Sequence, residues 1–239
     1  IAFGVVILPT LTRALTQDDT TKAQATIHAG LELAAFIALP ASVALAVMPR
    51  EVLSTLFQYG AFDSRATVQA GWILLALALG LTPVVFQRIL YPAFYARKDT
   101  MTPMLLTFLG VGVQVAAAVT LFPRIGVLGL GLSVALAAWV QVVAAGWMTM
   151  RRGFWQLEGA LLGRLVRCAL AAGVMGAVLY VAKLPLLPYF GAGNAWEKIP
   201  SMAALVVVGG LVYILISVVM NAVPPSAMAA LRRFRRPPG

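Results

Sequence analysis

Four polar side chains that could do chemistry stand inside stretches that are otherwise apolar: Arg88, Glu32, Gln87 and Gln114. Arg88 is the candidate substrate-binding residue. An arginine inside an apolar stretch is costly and usually faces a cavity or a partner, and its planar guanidinium suits a phosphate group through two parallel hydrogen bonds. The alternative is that Arg88 lies close enough to its helix end to extend towards lipid headgroups.

Glu32, Gln87 and Gln114 are the candidates for coupling or for a polar cavity. Glu32 would pair with a cation or take part in proton coupling, but its position close to the start of an apolar stretch favours a solvated helix end. The two amides need hydrogen-bond partners in lipid. For both, an interhelical hydrogen bond is favoured over a functional role.

The sequence contains no paired-histidine motif, nucleophile elbow or phosphate-binding glycine loop. The single cysteine, Cys168, and the single histidine, His28, exclude an internal disulfide and a histidine-based zinc site. Gly126, Gly129 and Gly131 lie in an apolar stretch, which favours close helix packing over phosphate binding. We expect a protein that is not an enzyme and has no cofactor.

Composition places these residues in a membrane. Of the 239 residues, 61% are hydrophobic and 11% charged, with a mean hydropathy of +0.91. The apolar residues fall in blocks of about 20, the length that crosses a hydrocarbon core. We predict an all-α integral membrane bundle, with one truncated span over Ile1–Leu11 and six full spans at roughly 27–48, 66–91, 103–122, 127–150, 165–182 and 201–222.

The basic residues between these spans predict the orientation. The net charge of +10 would suggest nucleic acid in a soluble protein, but here the cations separate apolar blocks, so we expect no nucleic-acid partner. Most of them fall near residues 13–25, 88–102, 151–167 and in the terminal run 231–239, which alternation of spans puts on one side. The positive-inside rule makes that side, and the C-terminus, cytoplasmic. We assign topology setting to the polar turn 97–99, and binding of anionic membrane lipids to the terminal arginines.

Two segments are expected at the membrane surface. Leu53, Leu56 and Phe57 have the spacing of one helix face, which predicts a short interfacial helix. Phe154 and Trp155 stand in a basic loop and suit the headgroup layer.

The polar turn also carries a family resemblance. The run LYPAFYARKDTMTP, Leu90–Pro103, resembles the hinge between two spans of the MurJ (MviN) family, the lipid II flippases of bacterial cell-wall synthesis. Three further stretches are similar to that family in the same order: ILPTLTRAL at Ile7–Leu15, LFQYGAFDSRAT at Leu56–Thr67 and GLGLSVALAAW ending at Trp139. The resemblance extends to about residue 152, and beyond it the order and number of spans agree.

This resemblance implies a MATE-like, 14-span transporter, of which we expect the chain to be the C-terminal part. Residues 1–152 would be part of the second lobe, from the end of span eight to span twelve. Residues 153–239 would be spans thirteen and fourteen with a basic cytoplasmic tail. In the family, the last two spans help to form a groove for a lipid tail.

The resemblance also implies a function: transfer of an undecaprenyl-pyrophosphate-linked peptidoglycan precursor, lipid II, across the bacterial inner membrane by alternating access. Cell-wall synthesis proteins are further candidate partners. The family's main substrate arginines have no counterpart in this stretch, and Gln114 and Ala118 replace the paired Asn or Asp of some relatives, which argues against a cation site there. The alternatives are another polysaccharide-lipid flippase or drug exporter of the superfamily, or a membrane-embedded scaffold or enzyme subunit.

Overall fold

Helices account for most of the described chain. The computed structural model describes residues 20–58, 64–153, 155–191 and 195–224. A short 3-10 turn, Leu184–Leu186, precedes the seventh of the helices. In chain order they are α1 Thr20–Val47, α2 Pro49–Phe57, α3 Ser64–Tyr95, α4 Met101–Ile125, α5 Val127–Arg151, α6 Gly159–Lys183, α7 Leu187–Gly191 and α8 Ala195–Val219.

Six of these helices are long and apolar enough to cross a membrane: α1, α3, α4, α5, α6 (continued through α7) and α8. This confirms the six predicted full spans and the all-α class. The short α2 confirms the helix predicted around Leu53, with Leu56 and Phe57 exposed on it. The expected truncated span and the terminal arginines lie outside the described residues.

Several helix ends differ from the prediction. α3 continues through Pro92 to Tyr95, because proline is tolerated in a spanning helix whose neighbours satisfy the freed backbone groups. α6 begins at Gly159 rather than near Leu165, because Leu161 is buried in the core and holds the extra turn. Most of the described residues between the predicted spans 165–182 and 201–222 are helical as well.

The long helices pack in a row: α4 lies against α5, α5 against α3, α3 against α1, α1 against α6, and α6 against α8. α3 therefore has a spanning helix on each of two sides. One apolar cluster joins α1, α3, α5 and the start of α6 around Ile27, Ile89 and Leu161. A second joins α1, α6 and α8 around Met48, Leu179 and Leu205.

Small residues set the spacing of α3 and α5. A Cβ built on Gly131 would lie 2.6 Å from the Ala76 Cβ, and one on Gly80 would lie 3.0 Å from the Ala135 Cα. Where α4 crosses α5, the Gln141 side chain fills the space that a Cβ on Gly110 would need. The packing role predicted for Gly131 is thus confirmed, and the close approach brings side-chain donors within reach of backbone carbonyls on the facing helix.

We expect Gly131→Ala to lower the unfolding free energy by about 1–3 kcal/mol, because the added methyl meets a rigid neighbour on α3. Denaturant titration of the full-length protein in detergent micelles measures this. The control is Gly112→Ala on α4, whose added Cβ would meet nothing within 4 Å. Equal stability of the two variants would show that α3 and α5 can move apart enough at this crossing to accept the added methyl group.

Candidate functional site

Arg88 lies on an open side of the central helix α3. It is exposed, and seven residues before the helix end, or about 10 Å along the axis. Leu77 and Tyr95 share this side of α3, because their spacings from Arg88 are close to whole numbers of turns, and both are exposed. Within the described chain the guanidinium has no hydrogen-bond or ion-pair partner. The site is therefore an exposed cation on α3 for which the described residues supply no partner.

Gln87 contacts the neighbouring helix α5. Its Nε2 donates to the Ala138 carbonyl of α5 at 2.9 Å, which is the interhelical hydrogen bond predicted for this amide. Beside it, Tyr91 donates to Gln141 Oε1 at 3.3 Å, and the Trp139 indole donates to the Leu79 carbonyl at 3.0 Å. This polar seam fixes the rotation of α3, and so decides which way Arg88 faces.

Glu32 is buried and paired. It is 8% exposed, and Arg164 Nη1 of α6 donates to its Oε1 at 2.6 Å. The solvated helix end favoured for Glu32 is therefore wrong. The physical reason is the early start of α6: Arg164 belongs to a helix packed on α1, and not to a loop. A part for Glu32 in proton coupling stays a prediction.

The segment before α6 is also packed against α1. Trp155 is 5% exposed and meets the His28 ring edge-on, with ring centroids 5.9 Å apart. The Gln156 carbonyl lies 3.0 Å from His28 Nε2. Trp155 is thus a core residue, and its predicted place in the headgroup layer is wrong. The reason is that the short connection between α5 and α6 places the Trp155 ring against α1. Phe154 lies outside the described residues.

Gln114 does not make the interhelical hydrogen bond predicted for it. It is exposed on α4 and has no hydrogen-bond partner in the described part of the chain. α4 packs mainly against one neighbour, α5, and Gln114 lies on the uncovered side with apolar residues such as Val115 and Val119. Its proposed place in a polar cavity stays a prediction.

The turn between α3 and α4 is closed by a carboxylate that sequence reasoning missed. Asp99 accepts the Thr102 N–H at 3.0 Å and the Thr102 hydroxyl at 2.6 Å, and it pairs with Arg152 from the end of α5. The hydrogen bonds from Thr102, together with Arg152, lower the pKa of Asp99 from 3.8 to about 2. The contacts of the Asp99 carboxylate with Thr102 and Arg152, which we call the Asp99 clamp, are therefore fully present above pH 4 and are lost as the pH falls towards 2. The three-residue spacing of Asp99 and Thr102 is the signal that indicates this cap.

Six apolar helices long enough to cross a membrane define a multi-pass helical membrane protein. A charge pair joins α1 to α6, and an exposed arginine lies on α3. The family model described as "Lipid II flippase MurJ" matches residues 1–199. The chain belongs to the MurJ family.

Two curated relatives agree. The chain is 37% identical over 182 residues to "Probable lipid II flippase MurJ" of Rhizobium meliloti (strain 1021). This match covers 76% of this chain and 34% of that protein. It is 30% identical over 238 residues to "Probable lipid II flippase MurJ" of Rhizobium tropici, covering 99% of this chain and 45% of the relative. The chain thus spans less than half the length of these relatives.

A solved structure has the same fold. The chain "Lipid II flippase MurJ, inward closed conformation" superimposes with a TM-score of 0.74 at 17% identity, over 92% of this chain and 42% of that one. The row of helices described above is therefore an arrangement that this structure also contains.

The pairing of Glu32 with Arg164 predicts a coupling energy. In a double-mutant cycle with Glu32→Gln and Arg164→Gln, we expect the two changes to couple by about 1–2 kcal/mol, because one partner is buried and the other partly exposed. Denaturant titration in micelles gives the four unfolding free energies.

The matched control replaces Arg164→Gln by Arg167→Gln, an exposed arginine on the same helix. Its cycle with Glu32→Gln should be additive within about 0.5 kcal/mol. Additivity in the Arg164 cycle would contradict the pairing.

Proposed function

We propose that this chain is part of a transporter, and not an enzyme, that moves lipid II from the cytoplasmic to the periplasmic leaflet of the bacterial inner membrane. The observation that carries the proposal is the family match over residues 1–199, together with relatives that bear the flippase name. The substrate is the undecaprenyl-pyrophosphate-linked peptidoglycan precursor, and cell-wall synthesis proteins are partners of the intact transporter.

Arg88 is the residue of this stretch that binds the pyrophosphate. Three observations support this role: it lies within a spanning helix, it is unpaired among the described residues, and the seam to α5 turns it away from its neighbours. An arginine fork pairs with two phosphate oxygens at once, and the low dielectric of a membrane cavity strengthens that contact. The open side of α3 would then border the central cavity of alternating access.

The remaining assignments follow the same proposal. Residues 1–152 form part of the second lobe, and residues 153–239 form the two additional spans and a cytoplasmic tail. The Glu32–Arg164 pair joins the lobe helix α1 to the additional span α6. The exposed Gln114, followed one turn later by Ala118, offers no set of oxygen ligands, so the cation site of some relatives is not proposed for α4.

Complementation tests this function. In a host depleted of its own lipid II flippase, the full-length gene should restore growth and lipid II export, and Arg88→Ala should reduce export at least about tenfold, because a charged hydrogen-bonded contact is lost. Arg88→Lys should retain part of the activity, since it keeps the charge but loses the fork.

The control is Lys98→Gln, which removes an exposed cation just beyond the end of α3 and should leave export unchanged. Failure of the intact gene to rescue would contradict lipid II as substrate and favour another lipid-linked saccharide or a drug. Full rescue by Arg88→Ala would contradict only the role of Arg88.

A further inference from the structure

A cavity of about 500 Å³ lies at the end of the bundle opposite the Asp99 turn. It is lined by the end of α1, by α2, by the first turns of α3, and by the end of α6 with α7. The Ser54 hydroxyl of α2 donates to the Phe190 carbonyl of α7 at 2.7 Å, which holds two of these walls together. Most of the wall is apolar, with Val47, Trp72, Leu75, Tyr180, Leu184 and Phe190 among the lining residues.

One side of the cavity carries a buried charge pair. Lys183 Nζ lies 3.2 Å from Glu51 Oε1 and also donates to the Val47 carbonyl at 2.7 Å. Glu51 is 5% exposed, and its second oxygen, Oε2, is buried without a hydrogen-bond donor among the described residues. A buried carboxylate oxygen that accepts nothing is unfavourable. Because Glu51 lines the cavity, a ligand N–H that reaches Oε2 would supply the missing donor.

A cation stands beside the same cavity. Arg50 lines it and is exposed, and within the described chain its guanidinium has no ion-pair partner. Its Cζ lies 5.2 Å from the centroid of the Trp72 ring, and its Cγ lies 3.0 Å from where a Cβ on Gly71 would be. The missing side chain at Gly71 lets the arginine stem lie flat, so the charge is held over the aromatic ring.

We propose that this cavity binds a phospholipid whose headgroup has a phosphodiester and a primary ammonium, such as phosphatidylethanolamine. The phosphodiester carries one negative charge and pairs with Arg50, the exposed cation that lines the cavity. The ammonium donates to Glu51 Oε2, and the acyl chains leave along the apolar wall. A trimethylammonium group has no N–H and cannot replace it.

This site is separate from the proposed transport path. Arg88 lies towards the other end of α3, and α8 supplies none of the residues that line the cavity. The proposal does not depend on the substrate of transport, and lipid binding is measured without any flipping assay.

Native mass spectrometry of the full-length protein in detergent tests the proposal. Phosphatidylethanolamine and phosphatidylcholine with the same acyl chains are titrated separately, and inorganic phosphate is added as a competitor. We expect phosphatidylethanolamine to bind about tenfold more tightly than phosphatidylcholine, the ratio expected for one charge-assisted hydrogen bond. Inorganic phosphate should not displace it.

Two variants locate the binding. Arg50→Gln should weaken both lipids about tenfold, and Glu51→Gln should bring the ratio of the two affinities close to one. The control Arg124→Gln removes an exposed cation at the end of α4, outside the cavity, and should change neither affinity. Because Glu51→Gln leaves Lys183 without its partner, thermal unfolding is recorded for each variant, and Arg50→Gln decides the result if Glu51→Gln does not fold.

Three outcomes would overturn the proposal. Equal affinities of the wild type for the two lipids would remove the ammonium contact. Arg50→Gln behaving like Arg124→Gln would place the lipid elsewhere. Displacement of phosphatidylethanolamine by inorganic phosphate would assign the cavity to a free anion.

Discussion

The close contact between α3 and α5 is the interaction on which the rest of the bundle depends. In lipid, helices gain little from burying apolar surface against one another, so association depends on close packing and on hydrogen bonds between helices. The absence of a side chain at Gly131 brings α5 against Ala76 of α3. At that distance Gln87 and Trp139 reach carbonyl groups of the facing helix. This contact sets the rotation of α3, and the rotation leaves Arg88 on the uncovered side.

Charge pairs hold α6 to the rest of the bundle at both of its ends. Arg164 pairs with Glu32 near its start, and Lys183 pairs with Glu51 near its finish. The first pair ties α6 to α1, and the second ties α6 to α2. Because a buried charge without a partner is strongly unfavourable, these pairs fix the position of α6 along its axis. α6 packs mainly against α1 and α8, and Arg88 on α3 remains exposed.

Much of this architecture is predictable from the sequence, because block length and hydropathy decide which segments cross a membrane. The six spans, the packing role of Gly131 and the hydrogen bond of Gln87 follow from such local rules. The solvated helix end predicted for Glu32 and the headgroup position predicted for Trp155 are wrong because the partners of both residues depend on where α6 begins, and the burial of Leu161 decides that. The hydrogen bond predicted for Gln114 is not made within the described residues, because the sequence does not tell which sides of α4 have neighbours. The Asp99 clamp is predictable only in part. The contact of Asp99 with Thr102 is local in sequence, but Arg152 comes from the end of another helix.

The central claim is that the side of α3 that carries Arg88 borders water, while the side of α4 that carries Val119 borders lipid. The direct measurement is the labelling rate of single cysteines, at Arg88→Cys and at Val119→Cys, by a membrane-impermeant maleimide. The background is full-length protein in which Cys168 and any cysteine outside this stretch are replaced by alanine. Both positions are exposed in the structure, so exposure alone predicts equal rates. The account predicts rapid labelling at position 88 and almost none at position 119. Equal rates, or faster labelling at position 119, would contradict it.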